Sequence, residues 1–373
     1  MKEYAIVMAS TLLLAWMLNG TRVGAIDSPG TRNKNRICYF LIFVILTLFV
    51  GLRTTYNDTF VYLQVYNQSA EFPEFWKSFS PELGANPGFA IVQAWLKTNG
   101  AAGQTFLLFF STLSVAGFLY FLKNYSNDFL LSLFLFFATN AYTLTAAALK
   151  QSVAIAISLL AVTCALKKKW IPFVLLMALA ATFHPYVLLF ALVPFLTFKP
   201  WSRWTYVLLG VFITAGFALE SLLGTIVDIT AMIGDNYTEE ALIGEGINVF
   251  RVLVCNVPLV LTFLYRKQLF ADSTKAEHLM INLAMLNGAI MFVGLFGTSI
   301  YFSRMASYFT IAQCVALPWI LKKLPFDHKK LFTTLMVIGY AGFFVYANII
   351  SQSFDDNFNR ITLWEYLSRY VMG

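Results

Sequence analysis

Charge is scarce in this 373-residue chain. Charged residues make up 12% of it against 59% hydrophobic ones, and the mean hydropathy is +0.69. The length alone would suit two or three soluble domains, but this composition excludes them. No stretch longer than about fifty residues lacks an apolar run of span length, so a separate soluble domain is not expected. Only three histidines and four cysteines occur. Cys38, Cys164, Cys255 and Cys314 fall inside apolar runs without C-x-x-C spacing. They read as small core residues and support neither a disulfide nor a metal framework. A metal set of the H-E-x-x-H or D-x-D kind is missing, as are Gly-rich phosphate loops and low-complexity tracts. The lack of a clear internal repeat argues against a transporter built from inverted halves. Residues 4–18 resemble a signal peptide only superficially. They are flanked by one lysine and one glutamate, run into Asn19-Gly20-Thr21-Arg22, and have no small-residue cleavage site. They read as a first span.

What the chain has is apolar helix-forming sequence. Twelve segments stand out, near residues 4–19, 37–52, 104–122, 129–147, 150–166, 170–183, 186–198, 204–223, 249–265, 279–297, 300–321 and 331–350. The expected fold is all-α, a polytopic transmembrane helix bundle of about 12 spans with amphipathic loop helices on the outer side. Residues 1–373 form one integral membrane domain. Segments 170–183 and 186–198 are short for a bilayer that takes about 20 helical residues. They read as half-depth helices meeting at a His184-Pro185 turn.

Lysine and arginine in the loops set the orientation. One set of loops carries 17 of the 26 basic residues, and the other side carries 14 of the 19 acidic ones. The basic side is expected to be cytoplasmic, which puts both termini outside. The outer side then has two long loops and a C-terminal tail at 351–373. Loop 53–103 is aromatic and broken by Pro73, Pro81 and Pro87. Asn86-Pro87 reads as an N-cap followed by proline at the first helical position. The helix after it, GFAIVQAWLK, has Phe89, Val92 and Leu96 on one face and is expected to lie in the interface. Loop 224–248 carries Asp228, Asp235, Glu239, Glu240 and Glu245, and reads as a solvated acidic loop with a mobile lid as the alternative.

The informative residues break the charge rule. Arg53, Lys150, Arg251 and Arg304 sit at the outer ends of spans, where cations cost free energy on insertion. Each could pair with an outer carboxylate such as Asp58 or Glu220, or snorkel to lipid phosphates. Four together at one face point instead to a shared anion site. His184 is the one histidine within the apolar region. It reads either as a hydrogen-bonded residue at a proline turn or as a general base or phosphate ligand. Asp58 is equally double-sided, as an N-cap of segment 59–67 or as a catalytic carboxylate. Aromatic residues make up 17%, with 37 phenylalanines; most suit lipid-facing packing and interfacial belts.

Five stretches, GLRTTYNDTFVYLQVYN, NPGFAIVQAWLK, AALKQSVAIAI, ATFHPYVLLF and SRMASYFTI, follow one another between about residues 45 and 315. In order and spacing they resemble the EpsG family of bacterial membrane proteins, relatives of the Wzy-type polymerases of O-antigen and exopolysaccharide. The resemblance implies joining of repeat units on undecaprenyl pyrophosphate at the periplasmic face of the inner membrane. It implies no cofactor and no nucleic acid. The implied partners are a lipid-linked donor, a lipid-linked acceptor, the bilayer and a chain-length regulator protein. By the same analogy Arg53, Lys150 and Arg304 hold the pyrophosphate, with Arg251 as a further candidate. Gln151, Asn86, Tyr62 and Tyr308 join the substrate site, and Asp58 or His184 is the base. Two positions depart from the family pattern: Glu-Pro-Gly reads Asn86-Pro87-Gly88, and Arg-Gln reads Lys150-Gln151. Lysine keeps the charge but loses the bidentate fork, and asparagine cannot be a base. The alternatives are another polyprenyl-dependent glycosyltransferase or an O-antigen ligase, a flippase or transporter of lipid-linked oligosaccharide, and a scaffold in an export complex.

Overall fold

The computed structural model describes residues 2–18, 29–232, 234, 237–350 and 357–372. Expectations that rest on 19–28, on Asp235 or on 351–356 lie outside the described residues. In chain order the helices are α1 (Lys2–Met17), α2 (Pro29–Gly51), α3 (Thr59–Gln68), α4 (Pro87–Thr98), α5 (Gly103–Tyr125), α6 (Phe129–Ala138), α7 (Ala141–Ala147), α8 (Leu149–Leu166) and α9 (Trp170–Ala181). They continue with α10 (Arg203–Phe217), α11 (Leu219–Met232), α12 (Glu239–Leu242), α13 (Val249–Leu264), α14 (Arg266–Leu269), α15 (Lys275–Val293), α16 (Ser299–Lys323), α17 (Phe326–Val345) and α18 (Leu363–Tyr370). Between α9 and α10 the chain runs as a 3-10 helix, Pro185–Thr197. Among the described residues the strands are β1 (Arg53–Thr55) and β2 (Asn359–Arg360), paired antiparallel.

All twelve apolar segments are helical, but helix is not span. Among the described residues four helices are long and apolar enough to cross a membrane: α5, α8, α15 and the helix over Asp327–Ile350. Counting α6 with α7 (bent by 51°) and α10 with α11 (bent by 99°) as one span each gives up to six. The expected count of about twelve is therefore not reached. Hydropathy marks an apolar run but does not fix whether its helix is long enough to span. At about 1.5 Å per residue, the 12 residues of α9 reach only about 18 Å of a core roughly 30 Å thick. α16 has the length, 25 residues, but carries too many polar side chains. These helices and this composition make the chain a membrane protein.

Two groups of helices frame the site. In one, α15 packs along α16, with α13 and α10 against α15; in the other, α2, α5, α8 and α9 pack in sequence. α5 and α8 approach so closely that a Cβ at Gly117 would lie 2.8 Å from Ala156 Cα, a spacing only glycine allows. The Pro185–Thr197 helix touches α8, α9 and α15, and so bridges the groups. Its prolines, Pro185 and Pro194, donate no N–H and favour the tighter winding. Asn282 of α15 donates to the carbonyls of Leu196 and Phe198, each at 2.8 Å, and anchors its end.

The amphipathic face of α4 packs inward, with the Phe89 ring against Phe106 and Phe110 of α5 at 5.8 and 4.7 Å. Segment 224–248 is partly helical, holding the end of α11 and all of α12. The chain after residue 356 folds back on the body. Arg360 faces Arg53 across the β1–β2 ribbon and pairs with Glu3 at 2.6 Å. Tyr366 bonds Thr105 at 3.0 Å.

Candidate functional site

Where α2 ends, the chain turns into β1 and buries Arg53 completely. Its Nε donates to Thr59 Oγ1 at 2.9 Å, and Nη1 donates to the Val50 carbonyl at 2.6 Å and to Ser111 Oγ at 3.2 Å. One side chain thus ties the end of α2, the start of α3 and the middle of α5. Burial pulls the guanidinium down to about 10 from its ordinary 12.5. Expected at the pyrophosphate, Arg53 lies in the protein interior and does not line the cavity described next.

That cavity has a volume of about 330 Å³ and is lined by Asp58, Tyr62, Asn86, Lys150, Gln151, His184 and Arg304, with Val61, Gly84, Ala148 and Pro185. Seven of the ten expected site residues meet here. Asp58 occupies the N-cap position of α3, yet its carboxylate makes no cap bond and stays exposed at the cavity wall. Asn86 occupies the N-cap position of α4 with Pro87 next to it, as expected, but its side chain makes no cap bond. It takes the left-handed conformation at φ 51°, which asparagine tolerates. Its Nδ2 donates to the Gly84 carbonyl at 3.0 Å, and its Oδ1 is buried without a partner.

Lys150 and Gln151 form the first turn of α8. The Lys150 ammonium lies 5.1 Å above the Phe89 ring. Gln151 Nε2 donates to the Arg304 carbonyl at 2.9 Å and to Ser307 Oγ at 2.7 Å, locking α8 to α16. Arg304 is exposed and donates from Nη1 to Tyr237 Oη at 3.1 Å. His184 stands in the extended break before the 3-10 helix, at φ −160°, as the turn reading anticipated. Tyr308, an expected substrate residue, is buried behind it and hydrogen-bonds its Nδ1. It supports the ring and does not face the cavity. The break is docked on α4: Gly88 N–H donates to the Thr182 carbonyl at 3.0 Å, and a Cβ on Gly88 would meet Thr182 Oγ1 at 2.1 Å.

The electrostatics follow from burial and the two cations. The break lies outside the span-length helices. There desolvation, then the Arg304 and Lys150 charges, push His184 from 6.5 down to about 3. Between those values the unfolded chain binds a proton that the folded one refuses, so stability rises with pH. His184's contribution is complete above about pH 6.5 and is lost as pH falls toward 3. Thermal unfolding in detergent is expected to show a falling melting temperature across that window, and His184→Gln a shallower fall. Burial raises the Tyr62 phenol, and the Asp58 charge adds to it; hydrogen bonds from the Lys150 and Leu149 backbone act the other way. Among the described residues no cluster of three or more His, Cys, Asp or Glu comes together. Lys150 and Arg304 line the cavity and give it positive charge. Arg53, Arg251 and Arg304 make no ion pair among the described residues, so the expected outer-carboxylate partners are not used.

Arg251 lines a different cavity, of about 470 Å³, between α7, α13 and α16. Sequence reasoning also missed Tyr237 and Ser307. Ser307 lies one turn after Arg304 on α16, a spacing that any helix supplies, and Tyr237 lies in the acidic segment, where only charge drew notice.

The EpsG family model matches residues 36–368, nearly the whole chain. No curated protein and no solved structure matches. With the five stretches that carry the family pattern lying within that match, and with all five supplying walls of one cavity, the chain belongs to the EpsG family.

Proposed function

We propose that the protein is a polysaccharide polymerase of the bacterial inner membrane. It joins undecaprenyl-pyrophosphate-linked repeat units by glycosyl transfer at the periplasmic face. The observation that carries this reading is the convergence of Lys150, Arg304, Asp58 and His184, from four distant parts of the chain, on one cavity. Family membership supports it, and the excess of lysine and arginine in the opposite loops supports the orientation.

In this reading the pyrophosphate sits between Lys150 and Arg304, at the start of α8, where first-turn N–H groups favour an anion. The acceptor hydroxyl oxygen bonds to the anomeric carbon of the donor. The bond from that carbon to the pyrophosphate oxygen breaks, and its electron pair leaves with the lipid pyrophosphate. Fixed cations stabilise the charge that develops there. Asp58 takes the hydroxyl proton, because its carboxylate is spent on no cap. Tyr308 hydrogen-bonds His184 Nδ1; in this reading the phenol is the donor, so the neutral ring carries its proton on Nε2 and donates it to a phosphate oxygen. That division of labour follows from Asn86 standing where the family pattern has glutamate.

The test is polymerisation in vitro. Purified protein receives the host's lipid-linked repeat units with and without EDTA, and the products are separated on a gel. A ladder of lengthening products supports the reading. Its absence, with well-folded protein and verified substrate, sinks it, and a transbilayer flip assay then tests the transporter alternative. Gly88→Ala is a second probe, since the new methyl group must separate Asn86 from the His184 break. A displacement of about 1 Å costs up to about a hundredfold in rate, so the ladder is expected to slow at least tenfold while Thr182→Ser leaves it unchanged.

A further inference from the structure

The larger cavity has a chemistry unlike the cationic one. Hydroxyls and amides dominate its wall: Asn57, Thr143, Ser299, Ser303 and Thr310 among them. Arg251 and Glu245 also line it, yet they form no ion pair with each other. Among the described residues the Arg251 guanidinium has no hydrogen-bond partner, although its side chain is only partly exposed. Rings of Tyr56, Phe343 and Tyr346 complete the wall. Many neutral donors and acceptors, apolar ring faces and one uncommitted fork are what a polyhydroxylated ligand with a single anionic group would use. A volume of about 470 Å³ falls within the range of small-molecule sites, roughly 300–1,000 Å³.

The two cavities also share a thin wall. Asn57 lines one and Asp58 the other; Ala147 lines one and Ala148 the other. Ser307, facing the larger cavity, accepts a hydrogen bond at 2.7 Å from Gln151, which faces the smaller. Three separate points of the chain therefore put the cavities back to back, with Asp58 at the partition.

We propose that the larger cavity is a saccharide site, which holds the sugar of a substrate and reads an acidic substituent on it through Arg251. This rests on the glycosyl-transfer reading, and it moves Arg251 from the pyrophosphate to the carbohydrate. The two sites divide the substrate chemistry: phosphate against Lys150 and Arg304, sugar hydroxyls against the hydroxyl and amide wall.

The experiment is ligand binding to the full chain in nanodiscs, read by saturation-transfer NMR. The probes are methyl glucuronide, methyl glucoside and farnesyl pyrophosphate. Wild type is expected to bind the glucuronide more tightly than the glucoside. Arg251→Ala is expected to weaken glucuronide binding roughly tenfold or more and to leave farnesyl pyrophosphate unaffected. Ser303→Leu, which fills the cavity, should abolish binding of both sugars, and Arg251→Lys should restore part of the glucuronide preference. Arg304→Ala is expected to give the reverse pattern. Melting curves establish that each variant is folded. Failure of the wild type to bind either sugar, or equal loss of sugar and pyrophosphate binding in Arg251→Ala, would overturn the proposal. Equal affinity for glucoside and glucuronide would remove Arg251 from it. Sugar binding without pyrophosphate binding would instead sink the polymerase reading and leave the saccharide site standing.

Discussion

Arg304→Ala is expected to erase the polymer ladder while leaving the protein folded. The guanidinium is exposed, and its one side-chain hydrogen bond among the described residues runs to Tyr237. Losing that bond at a solvated position costs at most about 1 kcal/mol of stability. Losing the cation beside a departing pyrophosphate is far more severe. Removing one fixed donor from a developing oxyanion costs roughly a hundred- to a thousandfold in rate. Lys150→Ala is expected to act at the same step with a loss of similar size. The double variant should fall short of the product of the two losses, because both cations serve one charge. The rate of ladder growth, measured with protein of unchanged melting temperature, checks this. A ladder that survives in both variants would move the chemistry away from this cavity.

Arg53→Ala is expected to do the opposite, lowering stability first. Arg53 is completely buried, and its three hydrogen bonds join Val50, Thr59 and Ser111. Truncation leaves buried Thr59 and Ser111 hydroxyls short of a partner and opens a cavity beside α5. The expected cost is about 3 kcal/mol or more. Low yield and a depressed melting temperature in detergent are the readout, and Arg53→Lys should recover little, since one ammonium cannot reach three acceptors in the guanidinium geometry. An Arg53→Ala protein with a normal melting curve and no ladder would return this residue to the substrate. The contrast between the two arginines is a contrast of surroundings: one faces a cavity and the other is enclosed between helices.

The charge pattern along the chain marked Arg53, Lys150, Arg251 and Arg304 as a set, because all four break the same orientation rule. The fold separates them. Lys150 and Arg304 share a cavity, Arg251 faces another, and Arg53 is interior. Nothing in a linear pattern distinguishes these fates, since each requires knowing which helices pack together. His184 is the clearer case of legibility. A histidine before proline between two short apolar runs predicts a break, and the chain does break there. Its partner Tyr308, 124 residues further on, was marked for a different role because the contact depends on how α16 meets the 3-10 helix. Asn86 shows the same limit at short range: its place before Pro87 was readable, whereas its left-handed backbone and missing cap bond were not.

By itself the sequence determined that the chain is helical, that it belongs in a membrane and which residues are chemically unusual. Those properties are local, because hydropathy, proline placement and charge act within a few turns of the residue that carries them. Tertiary structure alone decided the number of span-length helices, the return of residues 357–372 onto β1, and the sorting of the cations between two cavities. Those are decided by contacts between segments far apart in the chain, such as Gln151 on α8 with Ser307 on α16. Such contacts depend on packing shape and buried hydrogen bonds, which a single sequence does not display.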